Sequence, residues 1–217
     1  MNNISDPSLN PPRFLPVIVL ADTSGSMEAD DKISVLNDAI REMIVSFAEE
    51  TSRITEIHVA VISFGNNQAK IEYPLKPASS ISWQNLTASG KTPLGQAFDL
   101  ARSILEDLAQ ISLRVYNPAI VLVSDGFPTD DWRGSLDKLL SSSLAKRLDR
   151  FAMAIGDDAN INMLEEFLDN SMVRVFHSNE SREIKKFFRW VTYNISERSR
   201  SMNPNFVEPT LIDDFEF

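Results

Sequence analysis

Short, unbroken apolar runs alternate with helical stripes of apolar residues along most of the 217-residue chain. Residues 17–20 form a run that is apolar on both faces, which is typical of a buried parallel strand. Between residues 36 and 47 apolar side chains return every three or four residues, which indicates an amphipathic helix packed on a sheet. The same two patterns predict further buried strands at 57–64, 119–123, 151–155 and 173–176, and further helices at 94–105, 135–147, 161–169 and 181–195.

One predicted strand has a different pattern. Residues 69–75 alternate between apolar and charged side chains and include Pro74, so this segment suits the edge of a sheet. The turn residues Gly65, Asn66 and Asn67 come before it and predict a hairpin to the strand at 57–64. The chain is therefore expected to form an α/β fold, a doubly wound, mostly parallel six-stranded sheet with one antiparallel edge strand and helices on both faces.

The two ends of the chain differ in composition from its middle. Residues 1–12 hold three prolines and three asparagines, and residues 200–217 hold two prolines and end in DDFEF. Neither end continues the alternating pattern. We therefore expect a flexible N-terminal tail at 1–12, one domain at 13–199 and a poorly ordered acidic C-terminal tail at 200–217.

Composition excludes several classes of function. The chain has 21 basic and 31 acidic side chains, so its net charge of −10 disfavours nucleic acid as a partner. Its longest early apolar run, residues 14–21, is far shorter than a membrane span, and no membrane partner is expected. Cysteine is absent and histidine occurs twice, which excludes thiolate chemistry and cysteine-bearing zinc sites. Any metal must then be held by oxygen, and the missing cysteines favour the cytoplasm.

Polar residues follow the predicted strands where ligands bind in open α/β sheets. Asp22, Ser24 and Ser26 form a D-x-S-x-S string after the first strand, and Asp125 follows the strand at 119–123. Thr92 comes directly before the second helix. These carboxylates and hydroxyls are hard oxygen ligands, which suit Mg²⁺ or Mn²⁺ in preference to Ca²⁺.

The neutral hydroxyls have a functional consequence. A divalent ion held through few direct carboxylates keeps a net positive charge, and such an ion attracts an anionic ligand. An Asp or Glu side chain of another protein would supply that ligand. The sequence therefore predicts a protein-interaction module and not an enzyme.

Three motifs in this order resemble the metal-ion-dependent adhesion site (MIDAS) of von Willebrand factor type A domains. They are D-T-S-G-S, T-P-L-G and S-D-G, and the similarity in element order spans residues 14–197. The resemblance implies a Rossmann-like fold in which Ser24, Ser26 and Thr92 hold the ion by their hydroxyls. It also implies that Asp22 and Asp125 act on the ion directly or through water.

Within that family, LADTSGSM, GKTPLGQAFDLA and VLVSDGFPTDDW look most like the stand-alone bacterial TerY-type tellurite-resistance proteins. This resemblance implies a scaffold or regulator in a tellurite-resistance or stress-response system. Kinase-like and phosphatase-like proteins would be its neighbours. The chain departs from the group at Lys91, where a glycine is common, and this places a cation beside the predicted ion.

Two alternatives remain open from the sequence. A haloacid-dehalogenase-like, Mg²⁺-dependent phosphatase would use Asp22 as its nucleophile. Such enzymes have a D-x-D motif, in which the second carboxylate is the proton donor. In this chain Ser24 occupies the position of that second carboxylate. The other alternative is a structural module whose metal site stays empty.

Further acidic residues lie in the same loops and in the C-terminal tail. We interpret the loop residues as solvated positions and helix N-terminal acids, while a sharper hypothesis makes them an acidic rim that selects a partner. A second hypothesis is that a carboxylate of the tail docks into the metal site of a neighbouring copy and causes self-association. The loop residues are Glu28, Asp30, Asp31, Asp130, Asp131, Asp157 and Asp158, and the tail residues are Asp213, Asp214 and Glu216.

Overall fold

The computed structural model describes residues 12–50, 52–111, 114–169 and 173–215 of the chain. Strands and helices alternate as the sequence predicts. The strands are β1 (Arg13–Thr23), β2 (Thr55–Gly65), β3 (Gln68–Pro77), β4 (Ala119–Ser124), β5 (Asp149–Ile155) and β6 (Phe176–Ser178). The helices are α1 (Lys32–Ala48), α2 (Leu94–Gln110), α3 (Trp132–Leu140), α4 (Ile161–Leu168) and α5 (Glu183–Arg200). Within these described ranges no helix is long and apolar enough to cross a membrane.

The six strands form one sheet in the order β3-β2-β1-β4-β5-β6. All neighbours pair in parallel except β2 and β3, which pair antiparallel at the edge. Asn66 and Asn67 join β2 to β3 with φ of 45° and 65°, the left-handed conformation that a tight hairpin turn requires. The predicted mixed sheet and its hairpin are confirmed.

The side chains of β1 alternate between two cores, one on each face of the sheet. Val17 and Val19 pack with residues of α1 and α5, whereas Ile18 and Leu20 pack with residues of α2, α3 and α4. This two-sided burial explains why the run at 17–20 is apolar without a break.

Several element boundaries differ from the prediction, among them those of α3, β6 and α5. Helix α3 ends at Leu140 and not at 147, since a serine run follows it and Ser141 donates its hydroxyl to the Asp137 carbonyl. Strand β6 begins at Phe176 and not at 173, because its pairing with Met153 of β5 fixes the register. Helix α5 begins two residues later than predicted and continues to Arg200, five residues beyond the predicted end.

The C-terminal segment 201–215, which the sequence predicts to be a poorly ordered tail, runs back along α5 and contacts it. Trp190 donates its indole N–H to the Thr210 carbonyl over 2.8 Å. Asn194 accepts from the Thr210 N–H over 2.7 Å, and the Phe215 ring lies 5.2 Å from the Tyr193 ring. Residues 1–11 and 216–217 lie outside the described residues, so the expected N-terminal tail and the predicted domain boundaries stay predictions.

The strand order creates a topological switch point at β1. The chain leaves β1 through α1 to reach β2 on one side, while β4 pairs with β1 on the other side. Loops that leave neighbouring strands in opposite directions open a crevice at their carboxyl ends. The D-x-S-x-S string and Asp125 follow β1 and β4, so both flank this crevice.

Candidate metal centre

Main-chain hydrogen bonds hold three loops together at the crevice. The Gly25 N–H donates to the Gly90 carbonyl over 3.0 Å, which joins the loop after β1 to the loop before α2. The Thr129 N–H donates to the Thr92 carbonyl over 2.9 Å, which joins that second loop to the loop after β4. Gly90 has a φ of +67°, and a Cβ there would lie 2.9 Å from the Asn66 Cα, so the packing requires glycine.

Asp22 is fully buried at the end of β1. Its Oδ1 accepts from the Ser24 N–H over 2.8 Å, and its Oδ2 accepts from the Ser124 hydroxyl over 2.6 Å. These two bonds fix the carboxylate between β1 and β4 and orient the start of the D-x-S-x-S loop.

Burial raises the pKa of Asp22 from 3.8 to about 6. The nearby charge of Asp125 raises this pKa further, while the hydrogen bonds from Ser124 and Ser24 lower it. The charged carboxylate is therefore costly at neutral pH unless a cation lies close by. A cation beside this carboxylate would therefore lower the cost of its charge.

Ser24, Ser26 and Asp125 form a continuous chain of oxygen atoms. The two serine Oγ atoms lie 3.0 Å apart, and the Ser26 hydroxyl donates to Asp125 Oδ1 over 2.7 Å. Because Ser26 gives its hydrogen to Asp125, Ser24 must donate in the contact between the two serines, and one lone pair of the Ser26 oxygen remains available to a cation. In this arrangement the serine can bind an ion directly, while the carboxylate contacts the serine and not the ion.

Lys32, the first residue of α1, also contacts this chain. Its ammonium group donates to Asp125 Oδ2 over 2.9 Å, and the Asp125 side chain is fully buried. Neither this contact nor the bond from Ser124 to Asp22 is predicted by the sequence pattern. The available signal for this contact was the position of Lys32 in the first turn of a helix, where the helix dipole favours an acidic residue.

Thr92 completes the set of predicted ligands. Its side chain is 6% exposed, and its loop is bonded to the two loops that carry the other four residues. The structure thus brings four of the predicted ligands together. Ser24 contacts both Asp22 and Ser26, and Ser26 contacts Asp125. Thr92 lies on the adjoining loop.

The residues present fit a small, hard divalent cation. Octahedral Mg²⁺ with ligands at about 2.1 Å places neighbouring ligand oxygens roughly 3 Å apart. The spacings of 3.0 Å between the serine oxygens and 2.7 Å from Ser26 to Asp125 are close to that edge length. Within the described ranges, no group of three or more His, Cys, Asp or Glu residues could hold a metal ion. The donor set here depends on hydroxyl groups.

Two residues of the predicted acidic rim cap helices with their side chains. Asp130 accepts from the N–H groups of Gly95 and Gln96 over 2.9 and 3.0 Å, at the start of α2. Asp131 is the N-cap of α3 and accepts from the Gly134 N–H over 3.4 Å. These contacts favour the simpler interpretation for Asp130 and Asp131, namely acids that complement helix N-termini.

Solved structures with the same fold include three from distant sources. A von Willebrand factor type A protein from Catenulispora acidiphila has a TM-score of 0.65 at 18% identity, covering 86% of this chain and 43% of its own. Proximal thread matrix protein 1 from the mussel byssus, with a zinc-occupied MIDAS motif, has a TM-score of 0.61 at 16% identity, covering 86% and 49%. The open form of the pilus adhesin SpaC from Lactobacillus rhamnosus GG has a TM-score of 0.66 at 14% identity, covering 87% and 30%.

Identities this low show a shared fold and nothing finer, and the chain spans less than half the length of each of these three proteins. No curated protein matches the sequence. The family model described as von Willebrand factor type A domain matches residues 17–127, more than half of the chain, and includes both the D-x-S-x-S string and the S-D-G loop. The chain therefore belongs to the von Willebrand factor type A domain family.

Proposed function

We propose that this protein binds one divalent cation and uses it to hold an acidic side chain of a partner protein. The observation that supports this most directly is the oxygen cluster at the switch point, in which Ser24, Ser26 and Asp125 are linked by contacts of 3.0 and 2.7 Å. Ser24, Ser26 and Thr92 would hold the ion by their hydroxyls. Asp22 and Asp125 would balance its charge directly or through water.

Mg²⁺ or Mn²⁺ is the ion we propose, because hydroxyl and carboxylate oxygens are hard ligands. The mussel protein carries zinc in its MIDAS motif, which supports a divalent ion at this position of the fold. The ion would supply positive charge that the neutral hydroxyls do not cancel. The protein's own residues would hold that charge in the crevice at the ends of β1 and β4, where Ser26 is exposed.

The partner would present an Asp or Glu side chain. Phe127, two residues beyond Asp125, is 64% exposed and offers an apolar contact next to the ion. Lys91 is also exposed, on the neighbouring loop. A carboxylate with an apolar neighbour would complement this surface.

The cellular role we propose follows from the sequence resemblance. It is that of a scaffold or regulator in the cytoplasm of a bacterium, within a tellurite-resistance or other stress-response system. Kinase-like or phosphatase-like proteins are the candidate partners. Self-association through the acidic tail stays a second hypothesis, although Phe215 of that tail packs against Tyr193 of its own chain.

The phosphatase alternative is less well supported by the geometry. A nucleophilic carboxylate must reach the phosphorus atom, whereas the Asp22 side chain is fully buried and both of its oxygens accept hydrogen bonds. We therefore propose that the protein is not an enzyme. We expect no turnover of p-nitrophenyl phosphate in Mg²⁺, and turnover that Asp22→Asn abolishes would contradict this.

The proposed function is tested by partner capture from cells of the source organism. The immobilised protein is loaded with lysate in Mg²⁺ and eluted with EDTA, with Asp22→Asn as the matched control. We expect a protein that EDTA releases from the wild type and that the variant does not retain. Equal retention by both proteins, or retention that EDTA does not affect, would contradict a metal-dependent grip.

A further inference from the structure

The ion pair between Lys32 and Asp125 places a permanent cation inside the candidate metal site. The ammonium group lies 2.9 Å from Asp125 Oδ2, while Oδ1 of the same carboxylate accepts from Ser26. The Lys32 side chain is 14% exposed and that of Asp125 is not exposed at all. One carboxylate group thus separates the ammonium from a proposed ligand oxygen, in surroundings where charges are weakly screened.

The local structure does not favour a lysine at this position. Lys32 is the first residue of α1, at the positive end of the helix dipole, where a cation is destabilising. The two residues before it, Asp30 and Asp31, have φ of 52° and 55°, a left-handed conformation that costs free energy in residues other than glycine. The helix end disfavours a cation, and the turn before it has an unfavourable backbone conformation. The contact with Asp125, and not helix propensity, therefore accounts for the lysine.

The charges of the site give this lysine a role. Asp22, Asp125 and Lys32 together carry one net negative charge, so a bound divalent ion leaves one net positive charge. A partner's carboxylate brings the sum to zero. Without Lys32, the two carboxylates would offset the full charge of the ion, and the attraction for an acidic ligand would be weaker.

We propose that Lys32 is a specificity-determining residue that weakens binding of the free metal ion and strengthens binding of the acidic ligand to the loaded site. This inference rests on the proposed function and deepens it. In the absence of metal, Lys32 neutralises the buried Asp125 carboxylate and keeps the loop after β4 in place. With metal bound, its charge adds to that of the ion and makes the site depend on an external carboxylate.

The first test is calorimetric titration with Mg²⁺ alone. We compare the wild type with Lys32→Met, which keeps an unbranched side chain without charge, and with Lys32→Arg, which keeps the charge. Lys146→Met removes an exposed lysine that lies between α3 and β5, outside the three ligand loops, and serves as the control. We expect Lys32→Met to bind Mg²⁺ about tenfold more tightly, and the other two variants to stay within about threefold of the wild type.

A purely structural role for Lys32 would give the opposite sign, since a distorted site binds Mg²⁺ more weakly. Unchanged or weaker Mg²⁺ binding by Lys32→Met overturns the inference while leaving the metal site intact. If Lys32→Met does not fold, Lys32→Gln replaces it, because its amide can still donate to Asp125. Absence of Mg²⁺ binding by the wild type and by the neutral variants would overturn the inference and the proposed function together.

The second test uses acetate as a single carboxylate. It is titrated into the Mg²⁺-saturated protein, and the amide NMR signals of Gly126 and Thr92 report binding. We expect acetate to bind the wild type and Lys32→Arg alike, and to bind Lys32→Met at least about threefold more weakly. Equal acetate affinity in Lys32→Met and in the wild type would overturn the inference. Failure of acetate to bind the Mg²⁺-loaded wild type would contradict the proposed binding of an acidic side chain by the metal ion.

Discussion

Ser124 donates its hydroxyl hydrogen to Asp22 Oδ2 over 2.6 Å, between the ends of two neighbouring parallel strands. Both side chains are buried, and the bond joins the two loops that carry the candidate ligands. It orients the Asp22 carboxylate and offsets part of the cost of burying its charge. The remaining cost makes the stability of the protein depend on pH and on any cation bound near Asp22.

Asp22→Asn should stabilise the metal-free protein at pH 7. The folded-state pKa of Asp22 is about 6, against 3.8 in the unfolded chain, so the wild type loses stability as pH rises from about 4 to 6. Asparagine has the same shape, accepts from Ser24 and donates to Ser124. The gain in unfolding free energy should be at most about 3 kcal/mol at pH 7 and should vanish near pH 4.

Urea denaturation in EDTA at both pH values measures this difference. Asp158→Asn removes an exposed carboxylate from another strand-end loop and serves as control, with a change within about 0.5 kcal/mol at both pH values. An equal gain for Asp22→Asn at pH 4 and pH 7 would show that its charge is not the cause.

Thr92→Val should weaken Mg²⁺ binding by about tenfold even without a partner. Valine keeps the branched shape and removes only the hydroxyl. The loop is already bonded to both of its neighbours through the Gly90 and Thr92 carbonyls, so the hydroxyl does not need a partner to bring it into place. Calorimetry with Mg²⁺ measures the loss. Unchanged Mg²⁺ affinity combined with weaker acetate binding would instead show that the loop moves when the acid arrives.

Deleting residues 203–217 should lower the unfolding free energy by about 3 kcal/mol or more. The deletion leaves the Trp190 indole N–H and the Arg198 guanidinium without the Thr210 and Pro204 carbonyls that accept from them. Thermal melting compares this variant with one that lacks only residues 216–217. Mg²⁺ affinity should stay within about twofold, since these contacts lie away from the ligands. An unchanged melting temperature would contradict the packing of this segment on α5.

Much of the site follows from the sequence because of one geometric rule. Parallel strands end at the same edge of a sheet, so residues that follow β1 and β4 must lie near each other. Asp22, Ser24, Ser26 and Asp125 are predictable for this reason. The fold follows equally directly, because apolar periods of two kinds alternate along the chain.

The contacts that set the charge and orientation of the candidate ligands depend on tertiary packing. They cannot be predicted from the hydrophobic pattern of the sequence. Lys32 lies six residues beyond the D-x-S-x-S string, on a different element, and its reach to Asp125 depends on the bend at Asp30 and Asp31. The segment after α5 has no periodic pattern, since its order comes from single bonds such as that between Trp190 and Thr210.

The most direct test of the proposed metal site is calorimetric titration of the wild type and of Ser24→Ala/Ser26→Ala with Mg²⁺ at pH 7.5. Ser79→Ala, which changes an exposed serine far along the chain from the site, is the control. We predict one Mg²⁺ bound per chain in the wild type and the control, and at least a 100-fold loss, to about the limit of detection, in the double variant. Equal Mg²⁺ affinity in the double variant and the wild type would contradict a cation held by these two hydroxyls.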